Sequence, residues 1–246
     1  ATATYELTVN ALAAPVAANV STTTNTSFLA EWSAVSGAAS YELNVYTKEP
    51  GANATDLFIS EYVEGSSNNK YLEIYNGTGA AVDLSDYKVV LYSNGSTTAG
   101  NTLTMSGVLA NGATYVIKNS AAALYAGPAT ESTVTYFNGD DAVALEKIST
   151  STYVDIIGRI GEDPGSAWTD GGYSTADKTL VRKSSVTGGV TNNPTSGFPT
   201  LTTEWDVLEQ DNIDNLGSHS FAGGETLAPV TGSPFTVNAP AVSRSI

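Results

Sequence analysis

The chain has 246 residues, 41% of them apolar and only 14% charged, and 10 Lys and Arg against 25 Asp and Glu leave a net charge of −15. That balance repels phosphate backbones and anionic bilayers, so unassisted nucleic-acid binding is not expected. The absence of cysteine and the single histidine, His219, exclude disulfides, thiol nucleophiles, Cys-based zinc sites and any centre that needs two imidazoles. The length accommodates one large all-β domain or two small ones, and Gly, Thr, Ser and Asn stand where charges usually would, a composition typical of turn-rich β-structure.

In chain order, the opening "ATATYELTVN" lacks the basic and apolar regions of a secretory signal. Its start without Met, in strand-like alternation, predicts a mature or excised piece of a longer polypeptide. Period-two alternation of aromatic and β-branched residues predicts strands over 5–9, 27–32, 41–46, 57–63, 71–75, 87–92, 115–118, 142–147, 153–157, 179–182 and 234–237. Between them, Asn76-Gly77, Asn94-Gly95, Asn111-Gly112 and Asn138-Gly139 permit positive φ and mark turns. Helical patterning is confined to "SAAALYAG" from Ser120, a turn or two stopped by Gly127-Pro128. No apolar run approaches the roughly 20 residues that span a bilayer. Many short strands with regular turn punctuation predict antiparallel sandwiches, an all-β fold. The five N-x-[ST] sequons, at Asn19, Asn25, Asn53, Asn76 and Asn94, carry little weight in a chain this rich in Asn and Thr.

Two stretches resemble known families. "APVAANVSTTTNTSFLAEWSAVSGAASYELNVYT" resembles the opening strands of a bacterial fibronectin type III domain, with Trp32 at the position of that family's buried strand-B tryptophan and Tyr41 at the aromatic start of strand C. The stretch from Asp56 to Phe221 is similar to the lamin tail domains attached to secreted bacterial proteins, including extracellular nucleases and surface hydrolases. Its landmarks are "LFISEYVEGSSNNKYLEIYNGTGAAVDLSDYKVVLYSNG", "FNGDDAVALEK", "VDIIGRIGEDPGSAW", "STADKTLVRK" and "TEWDVLEQDNIDNLGSHSF". The second resemblance implies an immunoglobulin-like β-sandwich over 56–221 and no family-wide catalytic residues. A fibronectin-like domain ending after strand C would leave an open edge and a half-covered core. Residues 1–50 and 223–246 are therefore expected to form one partial fibronectin type III-like sandwich into which the lamin-tail stretch is inserted, with Phe235 and Val237 near Trp32 and Tyr41.

Several side-chain constellations could carry chemistry. Asp140 and Asp141 follow Asn138-Gly139, where the turn favours a corner whose carboxylates accept main-chain N–H groups; calcium ligation is the competing reading. Glu61 and Glu73 fall on expected hairpin partners, and if Leu72 and Ile74 face the core then Tyr71, Glu73 and Tyr75 share the other face. Such a carboxylate between tyrosines would contact a sugar or a cation, or pair with Lys70 or Lys88 across the sheet. The acidic run Glu204, Asp206, Glu209, Asp211 and Asp214 surrounds Trp205 without EF-hand order and reads as a solvated loop near Arg182 and Lys183, with Asp211 and Asp214 as further candidate calcium ligands. Asp163, before Pro164-Gly165, opens a β-turn, with Trp168 closing a core or a binding lip. His219, between serines but with no G-x-S-x-G elbow, reads as a hydrogen-bonded histidine at a strand end.

No catalytic residue is assigned. The candidate ligand-binding residues are Glu61, Glu73, Tyr75 and Trp168, the candidate metal ligands are Asp140, Asp141, Asp211 and Asp214, and no cofactor is expected, with Ca2+ as the alternative. The expected object is a non-catalytic, monomeric module of a secreted or cell-surface bacterial protein, serving adhesion, targeting or spacing, with polysaccharide or another surface protein as partner. The alternatives are a divalent-metal or carboxylate hydrolase using Glu61, Glu73 and Asp140 on polysaccharide or phosphoester, and a calcium-stabilised carbohydrate-binding domain.

Overall fold

Alternation of aromatic and β-branched residues becomes strand nearly everywhere it occurs in the computed structural model, which describes residues 29–44, 46–49, 53–223, 226–229, 235–238 and 243–245. The strand expected over 5–9 lies outside those residues. In chain order the strands are β1 (Leu29–Glu31), β2 (Ser40–Leu43), β3 (Tyr46–Glu49), β4 (Phe58–Glu64), β5 (Lys70–Tyr75), β6 (Val82–Asp83) and β7 (Tyr87–Tyr92). There follow β8 (Thr102–Thr104), β9 (Val108–Leu109), β10 (Thr114–Lys118), β11 (Thr130–Glu131), β12 (Ala142–Lys147), β13 (Thr152–Ile157), β14 (Thr169–Asp170) and β15 (Tyr173–Ser174). The last are β16 (Thr179–Arg182), β17 (Trp205–Leu208), β18 (Thr226–Pro229), β19 (Phe235–Asn238) and β20 (Ser243–Ser245). The chain divides into two compact units, one of Ala1–Glu49 with Thr226–Ile246 and one of Pro50–Glu225.

The larger unit is an immunoglobulin-like β-sandwich. One sheet runs β11-β10-β5-β4-β16-β17 and the other β13-β12-β7-β8, with β10 and β11 the parallel pair among otherwise antiparallel neighbours. A single apolar cluster joins Ile59, Tyr62, Leu72, Ile74, Ile117 and Leu180 of the first sheet to Val89, Leu91, Val143, Leu145 and Ile157 of the second. Burying such side chains drives the two sheets together at roughly 25 cal/mol per Å² of apolar surface removed from water. A buried ionic link also joins the layers. Asp155 on β13 accepts from Ile59 N–H (2.8 Å) on β4 and from the Arg182 guanidinium on β16, and takes further bonds from the N–H groups of Ile156 and Val190. Both side chains of the Asp155–Arg182 pair are fully buried, which is tolerable because hydrogen bonds and a counter-charge satisfy the carboxylate.

"SAAALYAG" does not form a helix. The Asn119 side chain accepts from Ala121 N–H, and the Tyr71 hydroxyl accepts from the N–H groups of Leu124 and Tyr125, so donors that a helix would use internally are taken by side chains. The α-helical turn among the described residues is instead Leu201–Glu204. Asn94-Gly95 has positive φ at both residues, whereas Asn76 is buried and its amide group bonds the carbonyls of Ala80 and Leu109. The Asp163 side chain accepts from Gly165 N–H, an Asx-type turn across Pro164 where a β-turn is expected.

In the smaller unit the strand expected over 41–46 is broken into β2 and β3, which pair with different C-terminal strands. β2 pairs antiparallel with β19, Tyr41 opposite Val237; β3 pairs with β18, Glu49 opposite Thr226; and β1 pairs with β20. Trp32 packs edge-on to Tyr41 with ring centroids 5.5 Å apart, and the Tyr41 hydroxyl accepts from Val35 N–H. The expected packing of Val237 lies outside the described side chains.

Candidate functional site

Antiparallel pairing of β4 and β5 sets Glu61 directly opposite Glu73, while Tyr62 faces Leu72 and Ile59 faces Ile74 in the main core. A bulge between Ile59 and Glu61 turns the Ser60 hydroxyl toward β5, where it donates to Glu73 Oε1 (2.7 Å). Tyr71, Glu73 and Tyr75 thus share the sheet's outer face, as the alternation predicts. That face is not wet. Val63, Tyr71 and Val116 pack with Ala122 and Leu216, Phe58 and Tyr75 pack with Ala54 and Phe221, and the two carboxyl groups sit between these satellite clusters.

The chain segment 211–221 forms much of the roof. Gly217 N–H donates to Glu73 Oε2 (2.6 Å), fixing one carboxyl between the sheet and the segment above it. Glu61 and Glu73 are each only 1% exposed, and neither Glu61 oxygen has a hydrogen-bond partner among the described residues. Burial, reinforced by the neighbouring Glu73 and Asp214 charges, pushes the Glu61 carboxyl up to about 9. It therefore stands as a neutral acid at pH 7. Burial also raises Glu73, against the opposing hydrogen bonds from Ser60, Gly217 and Thr114. The expected ion pairs with Glu73 do not form: Lys70 lies 3.4 Å from Glu64, and Lys88 lies 2.8 Å from Glu146.

Tyr75 is packed against Phe58, His219 and Phe221, and Trp168 is buried in the main core with its indole N–H on the Asp141 carbonyl. Neither presents a ring face to solvent. Asp141 is a corner residue, accepting from the N–H groups of Asn138 and Asn94 (2.9 and 2.8 Å). Asp140 is buried beside it with one oxygen unpartnered among the described residues, while Asp211 accepts from Ser66 N–H at the tip of the β4–β5 hairpin. Asp214 is exposed. Among the described residues no three His, Asp or Glu side chains gather where they could hold a metal ion.

The acidic stretch around Trp205 is only partly the solvated loop expected. Glu204 binds the Arg182 guanidinium at 2.6 Å, and Arg182 itself is buried with its guanidinium 4.0 Å from the centre of the buried Trp205 ring. His219 is not a hydrogen-bonded strand residue. It packs edge-on to Tyr75 and Phe58, its Nε2 has no partner among the described residues, and burial beside Arg182 lowers it to about 4.

The Asp155–Arg182 link went unread in the sequence, although a lone aspartate inside the apolar run "YVDIIG" was its available signal. Also unread was a polar cleft of about 400 Å³ bordered by Asn68, Lys70, Asn119, Tyr136 and Asn138 at one end of the sandwich.

A mainly antiparallel two-sheet sandwich closed over one shared apolar core defines an immunoglobulin-like structural class. The family model described as Lamin Tail Domain matches residues 50–161, just under half of the chain, which takes in β4 through β13. No curated protein matches the chain. Beyond the matched stretch, β16 pairs with β4, and β17 with β16, in the same sheet.

Proposed function

We propose that the chain is a non-catalytic binding, targeting or spacing module of a secreted or cell-surface bacterial protein, in which a lamin-tail sandwich is inserted into a fibronectin type III-like one. The observation that carries the reading is the closure of the Glu61–Glu73 pair. A general acid and base must reach a substrate bond, and two carboxyls roofed by main chain and apolar side chains cannot do so without opening the fold. The insertion reading is supported by the return of the chain at 226–238 to pair with β3 and β2. It is supported as well by the edge-on contact between Trp32 and Tyr41, the two aromatic residues that carry the fibronectin resemblance. The acidic, Gly-, Ser- and Thr-rich composition suits an exported surface, and the module as proposed needs no cofactor.

The test is turnover. The purified chain is incubated with nitrophenyl glycosides, polysaccharides and a bis-nitrophenyl phosphate, each with and without Ca2+, Mg2+ or Mn2+. No product is expected; turnover abolished by Glu61→Gln or Glu73→Gln would replace the module with a hydrolase. Thermal shifts with Ca2+ and with Mg2+ are expected to coincide, and a rise with Ca2+ alone would make calcium part of the fold.

A further inference from the structure

The polar cleft at the β4–β5 hairpin end has the chemistry of a ligand site that the buried carboxyls lack. It lies among the hairpin tip, the Asn119 turn and the chain running from Thr135 to Asn138, and its volume of about 400 Å³ falls within the few hundred that small-ligand sites occupy. Tyr136 is 53% exposed, and of the five large apolar side chains exposed among the described residues it alone lines this cleft. Its placement is held from below. Tyr136 N–H bonds the Thr133 carbonyl, and the next residue, Phe137, is buried and stacked on Tyr62 with centroids 4.4 Å apart. One aromatic anchors the segment in the core and its neighbour is presented outward.

Facing Tyr136 are amides. Asn119 is 6% exposed, its Oδ1 is occupied by Ala121 N–H, and its NH2 group has no partner among the described residues. Asn68 and Asn138 are exposed, and their side-chain amides are likewise unpartnered among the described residues. Among the described residues no carboxylate or imidazole lines the cleft, and the one ammonium, Lys70, is 3.4 Å from Glu64 and donates to the Gly65 carbonyl, so that wall is close to neutral. An aromatic ring beside several groups that donate and accept hydrogen bonds, with little net charge, matches a ligand bearing an apolar face and an edge of hydroxyls. The chain's charge of −15 disfavours a polyanion.

We infer that this cleft binds an uncharged saccharide, with Tyr136 stacking on the sugar face and Asn68, Asn119 and Asn138 bonding its hydroxyls. The inference rests on the reading of the chain as a binding module and names its ligand class and its site. The test is retention of the full chain on cellulose, chitin, xylan and mannan, with polygalacturonate as the anionic control. At least one neutral glycan is expected to retain the protein. Tyr136→Ala is expected to weaken that binding about tenfold or more, Tyr136→Phe to keep it within about twofold, and Asn138→Ala to weaken it, all at an unchanged melting temperature. The inference is overturned by retention on no neutral glycan, by retention only on polygalacturonate, or by equal retention of wild type, Tyr136→Ala and Asn138→Ala. None of those outcomes touches the module reading, which falls instead if wild type releases reducing sugar from the glycan.

Discussion

Replacing Glu61 by Gln removes a titrating group while keeping its shape, and the structure fixes how the effect must vary with pH. The folded chain holds the Glu61 proton to about pH 9, whereas an ordinary glutamate releases its own near 4.5. Between those values the folded state binds more protons than the unfolded state, so stability is lost as pH rises, at about 1.4 kcal/mol per pH unit. From pH 4.5 to pH 7 the loss amounts to about 3 kcal/mol. Glu61→Gln is therefore expected to match wild type near pH 4.5 and to exceed it by about 3 kcal/mol at pH 7. Urea unfolding at several pH values, followed by the fluorescence of the buried Trp168 and Trp205, measures this directly. Parallel stability profiles for wild type and variant, or a variant less stable at pH 8, would refute the reasoning, because either means that the carboxyl is ionised or solvated in the folded chain.

Three further outcomes follow from the same geometry. Arg182→Met strands the buried Asp155 and should cost about 3–5 kcal/mol in urea titration, lowering the melting temperature by about 2–4 °C for each kcal/mol. His219, lowered to about 4, binds fewer protons folded than unfolded between there and 6.5, so it costs stability as pH falls through that window. His219→Phe should accordingly resist acid better than wild type in thermal melts at pH 4.5 and differ little at pH 7. Gly158→Ala puts a methyl group 2.5 Å from the Trp168 ring at a backbone φ of 72°, and a loss of about 1–3 kcal/mol is expected from strain alone.

The strands were legible wherever local alternation decided them: Tyr87–Tyr92, Ala142–Lys147 and Thr179–Arg182 have the bounds read from the sequence. What local pattern cannot report is who covers a face. Tyr71, Glu73 and Tyr75 alternate like a solvated row, and the group that closes over Glu73 is Gly217, 144 residues further on. The same distance effect hid Arg182, whose partner Asp155 lies 27 residues away on the other sheet. The expected helix failed for reasons of both kinds: Asn119 competes locally for the Ala121 N–H, whereas the Tyr71 hydroxyl that takes the Leu124 N–H comes from 53 residues away. Of the candidate residues, Asp141 at its corner was readable from Asn138-Gly139, whereas the Tyr136 cleft depends on three separate turns meeting in space.

The opposed pairing of Glu49 with Thr226 has a mechanical meaning. The polypeptide departs for the larger unit and comes back on the same rung of one two-stranded ribbon, so tension applied across the smaller unit can pass along that ribbon while the intervening 176 residues, Pro50–Glu225, carry none of it until that rung parts.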